Sequence, residues 1–147
     1  MISPTEVGYL FWMFTSNIHY IILVDLVLFA KFALSSKFLM IAASNLFMKN
    51  VLCPFICNHY RGMYKYLLRP NSSDFGMPSG HCQVYYAFMT YKLFNPYQNV
   101  NVLEAMLMLW FGMFLCFQRV AENKHTWGQV VVGSIIGIIS GYYIATY

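Results

Sequence analysis

Charged side chains are scarce in this sequence of 147 residues, where they make up 10% of the total. Ordinary soluble domains have roughly 25% charged residues. Hydrophobic residues make up 59% of the chain and aromatic residues 19%. This composition argues against a soluble globule. It also argues against a disordered tail, because disorder requires low hydrophobicity and high net charge. The sequence therefore predicts one compact membrane domain over residues 1–147.

Clustered basic residues and zinc-type cysteine pairs are also missing. The nine Lys and Arg residues give a net charge of +4, but they are scattered singly among apolar stretches. Binding to nucleic acid needs a basic face instead. The four cysteines show no CxxC or Cys/His spacing of the zinc type. We therefore expect no nucleic-acid partner, no metal and no cofactor, and we favour a lipid phosphate as the partner of the cations.

Long apolar stretches divide the chain into candidate membrane spans. A spanning helix needs about 20 predominantly apolar residues, or about 17 at the least. Five stretches meet or approach this length, which predicts an all-α, polytopic transmembrane bundle of about five spans. They cover residues 17–34, 37–57, 79–94, 102–117 and 126–146. Turn-forming residues predict the breaks at Ser35-Ser36, Pro54, residues 70–73, Pro78 and Asn95-Pro96.

Short loops force successive spans to run in opposite directions, so the connections after the second and fourth spans lie on the same side of the bilayer. The polar residues gather in these two connections, 58–81 and 118–129. The opposite side carries little beyond Glu104 and the lysines Lys31, Lys37 and Lys92. We take these lysines to mark the cytoplasmic side. The polar connections then lie on the non-cytoplasmic face of an integral, multi-pass protein of an endomembrane such as the endoplasmic reticulum.

Two histidines in the polar connections, His81 and His125, each lie at a predicted helix start. Near neutral pH an imidazole can attack phosphorus or protonate a leaving oxygen. Cations on the same face can stabilise the phosphoryl oxygens, and backbone N–H groups at Ser79 and Gly80 can bind an anion at the helix N-terminus. This combination favours phosphoryl transfer. The alternative is two interfacial histidines without a catalytic duty.

Three sequence motifs resemble those of the type 2 phosphatidic acid phosphatase superfamily. They are Arg69-Pro70, the sequence PSGH at 78–81, and an arginine and a histidine separated by five residues, Arg119 and His125. The resemblance covers about residues 45–143. The residues that surround the two histidines are most similar to the dolichyldiphosphatase-like branch of the superfamily.

The resemblance implies a metal-independent lipid phosphatase. His125 would be the nucleophile and form a phosphohistidine, and His81 would protonate the leaving group. The phosphoryl oxygens would be held by Arg69, Arg119, Ser79 and Gly80. A polyisoprenoid diphosphate of the dolichyl diphosphate type is the leading substrate in the bilayer. Phosphatidate or another lipid phosphate is the alternative within the superfamily.

The chain departs from the superfamily pattern near the nucleophile. Gln129 stands where the superfamily usually has aspartate, four residues after His125, although the dolichyldiphosphatase-like branch carries glutamine there too. Residues i and i+4 are neighbours on a helix, so the amide oxygen of Gln129 can orient the imidazole. Gln118 replaces the serine expected before Arg119.

The first motif departs most strongly from the pattern. The superfamily has a lysine seven residues before the arginine, but Gly62 occupies that position. Lys49 and Lys65 are both candidates for the missing phosphate-binding cation, and Arg61 is a third. The broken motif also leaves open a catalytically silent scaffold or small transporter with the same fold.

The last predicted span carries glycine at every fourth position: Gly133, Gly137 and Gly141. Small residues at this spacing permit close packing of membrane helices. Extended backward, the same ridge reaches Gln129 and His125. We therefore expect His125 to point into the bundle.

Overall fold

The computed structural model describes Met13, Asn17 and residues 32–147. The predicted first span and Lys31 lie outside these residues, apart from Asn17 and 32–34 at the ends of the span. The described part is helical and contains no strand; a single isolated bridge pairs Leu68 with Phe75. The prediction of an all-α fold is confirmed.

Helices of very different length make up the described part. The long ones are α1 (Phe32–Phe47), α4 (Gly80–Phe94), α5 (Val102–Ala121) and α6 (Trp127–Thr146). A π-helical turn, Met48–Leu52, joins α1 to α2 (Cys53–His59), and a 3₁₀ turn, Arg61–Met63, precedes α3 (Tyr64–Leu67). Three described segments are long and apolar enough to cross a membrane: Ser36–His59, Val102–Ala121 and Trp127–Thr146. The chain is a membrane protein.

Two predicted breaks around the second span are wrong. The helix α1 runs through Ser35-Ser36, since a serine costs only about 0.5 kcal/mol in a helix. Pro54 lies in the first turn of α2 and does not end the helical run. The wide π-helical turn directly before it, in which Cys53 N–H donates to Met48 O, gives the proline ring room.

The predicted third span forms α4, but α4 is not among the three candidate spans. Its 15 residues extend over about 22 Å, which is less than the roughly 30 Å of a bilayer core. The predicted count of about five spans is therefore approximate.

Helix α4 packs along the glycine ridge of α6. A Cβ atom at Gly133, Gly137 or Gly141 would collide with a backbone carbonyl oxygen of α4 or its N-cap. The carbonyls concerned are those of Ser79, Gln83 and Ala87, in that order. The predicted role of the ridge in close packing is confirmed. This contact also places the first turn of α4 beside the first turn of α6.

Candidate active site

The turn between α5 and α6 ties Arg119 to His125 through the backbone. Asn123 adopts a left-handed conformation, φ 53°, just after the end of α5. Its N–H donates to Val120 O at 2.9 Å, and the N–H of Lys124 donates to Arg119 O at 3.1 Å. These two bonds form the Schellman arrangement that ends many helices. The N–H of His125 also donates to Arg119 O, at 3.2 Å. The five residues between Arg119 and His125 thus form the helix ending, which places the N–H of His125 beside the carbonyl oxygen of Arg119.

The left-handed residue gives a first prediction. Asparagine and glycine tolerate φ near +53°, whereas a β-branched residue is strained there. We expect Asn123→Gly to fold normally and Asn123→Val to lose about 1–2 kcal/mol. Thermal unfolding of the purified protein measures the difference. Asn99→Val is the matched control, because Asn99 is an exposed loop residue without a positive φ. Equal melting of the two valine variants would contradict the prediction.

His125 is held by Gln129 in one tautomer. The Nε2 atom of Gln129 donates to the carbonyl oxygens of Tyr66 at 3.0 Å and Leu68 at 2.7 Å. Carbonyl oxygens only accept hydrogen bonds, so these contacts fix which end of the amide faces the imidazole. The amide oxygen lies 3.2 Å from Nδ1 of His125. It must accept the Nδ1 proton, which leaves the lone pair of Nε2 available in the neutral ring.

Several loops converge on Gln129. The N–H of Ser79 donates to Gln129 O at 3.1 Å. A Cβ atom at Gly76 would collide with the Gln129 side chain and approach Cγ of Arg69 to 2.9 Å, so only glycine fits between them. The connections 58–81 and 118–129 therefore meet at one site. The prediction that they share one side of the bundle is confirmed.

Positive charges surround the His125 imidazole. The residue is 2% exposed. Burial is the main cause that lowers the pKa of His125 to about 4, and the charges of Lys49, Arg119 and Arg69 add to it. The hydrogen bond to Gln129 acts in the opposite direction. The imidazole is therefore neutral at pH 7 in the ligand-free protein, with one unprotonated nitrogen.

The structure separates the candidate cations of the first motif. Lys49 lies in the π-helical turn and is one of the charges that act on His125. Lys65 is exposed on α3, with its Nζ atom 4.7 Å from the centre of the Tyr66 ring. Arg61 is exposed as well. Neither Lys65 nor Arg61 is among the charges that act on the imidazole. The structure thus brings Lys49 to the histidine and leaves the other two outside.

Two guanidinium donors whose charges act on His125 are buried without a hydrogen-bond partner among the described residues: Arg69 Nε and Arg119 Nε. An unsatisfied buried polar group costs about 1–3 kcal/mol. Such groups are rare in folded proteins and need an explanation. The oxygens of an anion are acceptors of the kind that both guanidinium groups lack.

A side chain of α1, that of Asn45, holds the PSGH segment through hydrogen bonds. Asn45, which is buried, donates from Nδ2 to Pro78 O at 3.2 Å and to Gln83 Oε1 at 2.7 Å. A Cβ atom at Gly80 would lie 3.0 Å from Asn45 Oδ1. His81 follows as the second residue of α4 and is half-buried. The sequence analysis missed Asn45, for which the only signal was a polar residue in an apolar span.

In the part of the chain that the structure describes, no three His, Cys, Asp or Glu side chains lie close enough together to hold a metal ion. The groups that the described residues bring together here are the His125 imidazole and the cationic side chains of Lys49, Arg69 and Arg119.

The model of the PAP2 superfamily matches residues 26–147, and the chain belongs to this superfamily. The resemblance of the three motifs is thereby confirmed.

Curated relatives are similar over about half of the chain. A dolichyldiphosphatase of Saccharomyces cerevisiae is 36% identical over 76 residues, which are 47% of this chain and 32% of that protein. Lipid phosphate phosphatase epsilon 2, chloroplastic, of Arabidopsis thaliana is 36% identical over 72 residues, 46% of this chain and 25% of that protein. The chain thus spans less than a third of the length of these relatives. No solved structure matches it.

Proposed function

We propose that this protein is a multi-pass membrane lipid phosphatase that hydrolyses a polyisoprenoid diphosphate of the dolichyl diphosphate type, without a metal. One observation carries the proposal: the buried imidazole of His125 is fixed through Nδ1 by Gln129, and the charges of Lys49, Arg69 and Arg119 act on it. A neutral imidazole with a free Nε2 is a nucleophile. Cations around it stabilise the charge of a phosphoryl group under attack.

In the first step, the Nε2 lone pair of His125 forms a bond to the terminal phosphorus. The bond between this phosphorus and the bridging oxygen breaks, and the bridging oxygen keeps the electron pair. The His81 imidazolium donates a proton to this oxygen, and the lipid monophosphate leaves. The Nδ1–H of His125 stays hydrogen-bonded to Gln129, whose neutral amide orients the ring without adding a charge.

In the second step, water attacks the phosphohistidine. His81, now neutral, accepts a proton from the water as the new oxygen–phosphorus bond forms. The phosphorus–nitrogen bond breaks and its electron pair returns to Nε2 of His125. Inorganic phosphate leaves from its contacts with Arg69, Arg119 and the Ser79-Gly80 loop.

The proposed lipid is taken from the names of the relatives. The proposed site contacts the phosphoryl group, so it does not by itself select the apolar tail. The yeast relative is named for dolichyl diphosphate, and we take that class as the first candidate. The name of the Arabidopsis relative favours a second candidate, phosphatidate or another lipid phosphate.

The proposed orientation places this site on the non-cytoplasmic face of an endoplasmic-reticulum-like membrane. Lys37 lies near the start of α1 and Lys92 near the end of α4, at the helix ends away from His125. Lysines at these ends support a cytoplasmic assignment for that side.

A phosphate-release assay tests the proposal. The full chain, purified in detergent with a chelator present, is given polyprenyl diphosphate or phosphatidate at equal surface concentration. We expect phosphate release from polyprenyl diphosphate, with polyprenyl monophosphate as the second product. Faster release from phosphatidate would establish the second candidate. Release from neither lipid would favour the silent scaffold or transporter and contradict a phosphatase function.

A further inference from the structure

Glu122 places a carboxylate beside an arginine of the proposed phosphoryl site. Its Oε2 atom accepts a hydrogen bond from Arg119 Nη1 at 3.0 Å, and the two side chains form an ion pair. Its Oε1 atom accepts from Gln118 Nε2 at 3.3 Å. The side chain of Glu122 is 20% exposed and that of Arg119 is 10% exposed. A carboxylate so close to an anion site calls for an explanation, because like charges repel.

The charge balance shows that this carboxylate does not prevent anion binding. Lys49, Arg69 and Arg119 all act on the His125 imidazole. Glu122 neutralises one of these three cations. With the protonated His81 that the proposed mechanism requires, the site keeps a net positive charge toward a phosphoryl dianion.

The geometry of the ion pair suggests what the carboxylate does. A guanidinium group has five N–H donors in a rigid plane. Glu122 engages Nη1, whereas Nε is buried without a partner among the described residues. The Nε and Nη2 atoms form one edge of the plane, and such an edge binds two phosphoryl oxygens side by side. The carboxylate therefore holds one end of Arg119 and leaves this edge for a ligand.

We propose that Glu122 is a positioning residue: held by Gln118, it fixes the Nη1 end of Arg119 so that the Nε–Nη2 edge faces the phosphoryl oxygens. The inference rests on the proposed function and adds a residue to the same site. The contrary possibility is that Glu122 occupies the anion site and is displaced by the ligand. Its own turn of α5 holds both carboxylate oxygens, which disfavours displacement.

The variant Glu122→Gln removes the charge and keeps the shape of the side chain. Binding of orthovanadate, measured by titration calorimetry on the purified full chain, reports on the phosphoryl site without turnover. Loss of a charge-assisted contact should weaken this binding about 10-fold. The inhibition constant of inorganic phosphate should rise equally. The kcat/KM for the lipid should fall by a similar factor, because the phosphoryl group is held less tightly in the ground state and in the transition state.

A second comparison, made in protein that already carries Arg119→Lys, separates a positioning role of Glu122 from a structural one. A lysine ammonium group has no planar edge to present. In Arg119→Lys, the further change Glu122→Gln should therefore alter vanadate affinity less than twofold, so the two effects are not additive. Glu104→Gln is the matched control, because Glu104 lies in the same helix at its opposite end. It should leave vanadate binding and turnover unchanged. Glu122→Asp keeps the charge on a shorter chain and should give an intermediate loss.

The outcomes are distinguishable. Tighter vanadate binding in Glu122→Gln would show that the carboxylate competes with the ligand, which overturns the inference. An unchanged affinity would overturn it too, as would a 10-fold loss that persists in the Arg119→Lys background. In each of these cases an active wild type leaves the proposed function intact. A wild type that neither binds vanadate nor releases phosphate removes the proposed function, and this inference with it.

Discussion

Phosphate release should disappear in His125→Gln, with a loss of at least 10³-fold in kcat. Glutamine retains a polar side chain of similar size but has no lone pair that can attack phosphorus at neutral pH. Removal of a covalent nucleophile typically leaves only the rate that binding and oxyanion stabilisation provide. The assay is the chelator-containing phosphate release described above. The same variant should also fail to incorporate label from a radioactive terminal phosphate when the reaction is quenched in base, where phosphohistidine survives.

His59→Gln is the matched control for this experiment. His59 is exposed at the end of α2, and its ring lies 4.4 Å from that of Phe55, centroid to centroid. We expect its turnover to equal that of the wild type. If His125→Gln kept its activity while folding normally, the assignment of the nucleophile would be wrong.

Gly137→Ala should destabilise the protein by about 3 kcal/mol, at the upper end of what overpacking usually costs. The added methyl group would collide with the carbonyl oxygen of Gln83, which belongs to the backbone of α4 and cannot rotate away. Helices α4 and α6 would have to separate. Because these helices carry His81 and Gln129, turnover should fall together with the melting temperature. Thermal unfolding in detergent and phosphate release measure the two effects.

Gly128→Ala provides the comparison within the same helix. Among the described residues, a Cβ atom there would meet only Thr126 Oγ1, at an ordinary contact distance of 3.8 Å. Alanine also has a higher helix propensity than glycine, by about 1 kcal/mol. This variant should be at least as stable as the wild type. Equal destabilisation at both positions would mean that the glycine ridge does not set the helix separation.

The helices that the sequence predicted well are those with a strong apolar signal. The predicted spans 102–117 and 126–146 correspond to α5 and α6, each within a few residues at either end. The glycine periodicity correctly indicated a close helix contact, because steric exclusion by a backbone oxygen depends on residue size alone. The predictions around the second span failed at Pro54, since the π-helical turn that accommodates it leaves no mark in composition or periodicity.

The residues of the candidate site were likewise predicted only in part. The motifs located His125 and Arg119, and the helix spacing indicated the contact between His125 and Gln129. Sequence could not choose between Lys49 and Lys65, because the choice depends on where the π-helical turn directs the chain. It also missed Glu122. A carboxylate three residues after an arginine is common on helix surfaces, and only its second hydrogen bond, from Gln118 Nε2, distinguishes it here.

The two hydrogen bonds from the amide nitrogen of Gln129 connect the two main departures of this chain from the superfamily pattern. Tyr66 and Leu68, whose carbonyls accept these bonds, belong to the segment in which the expected lysine is missing. An aspartate at position 129 has no donor for either carbonyl and would set its negative charge against them. Changing the glutamine alone would therefore remove both hydrogen bonds to the segment that leads to Arg69. The segment that leads to Arg69 and Gln129, the neutral partner of His125, are thus joined by hydrogen bonds. We expect a substitution in one of them to require a compensating substitution in the other.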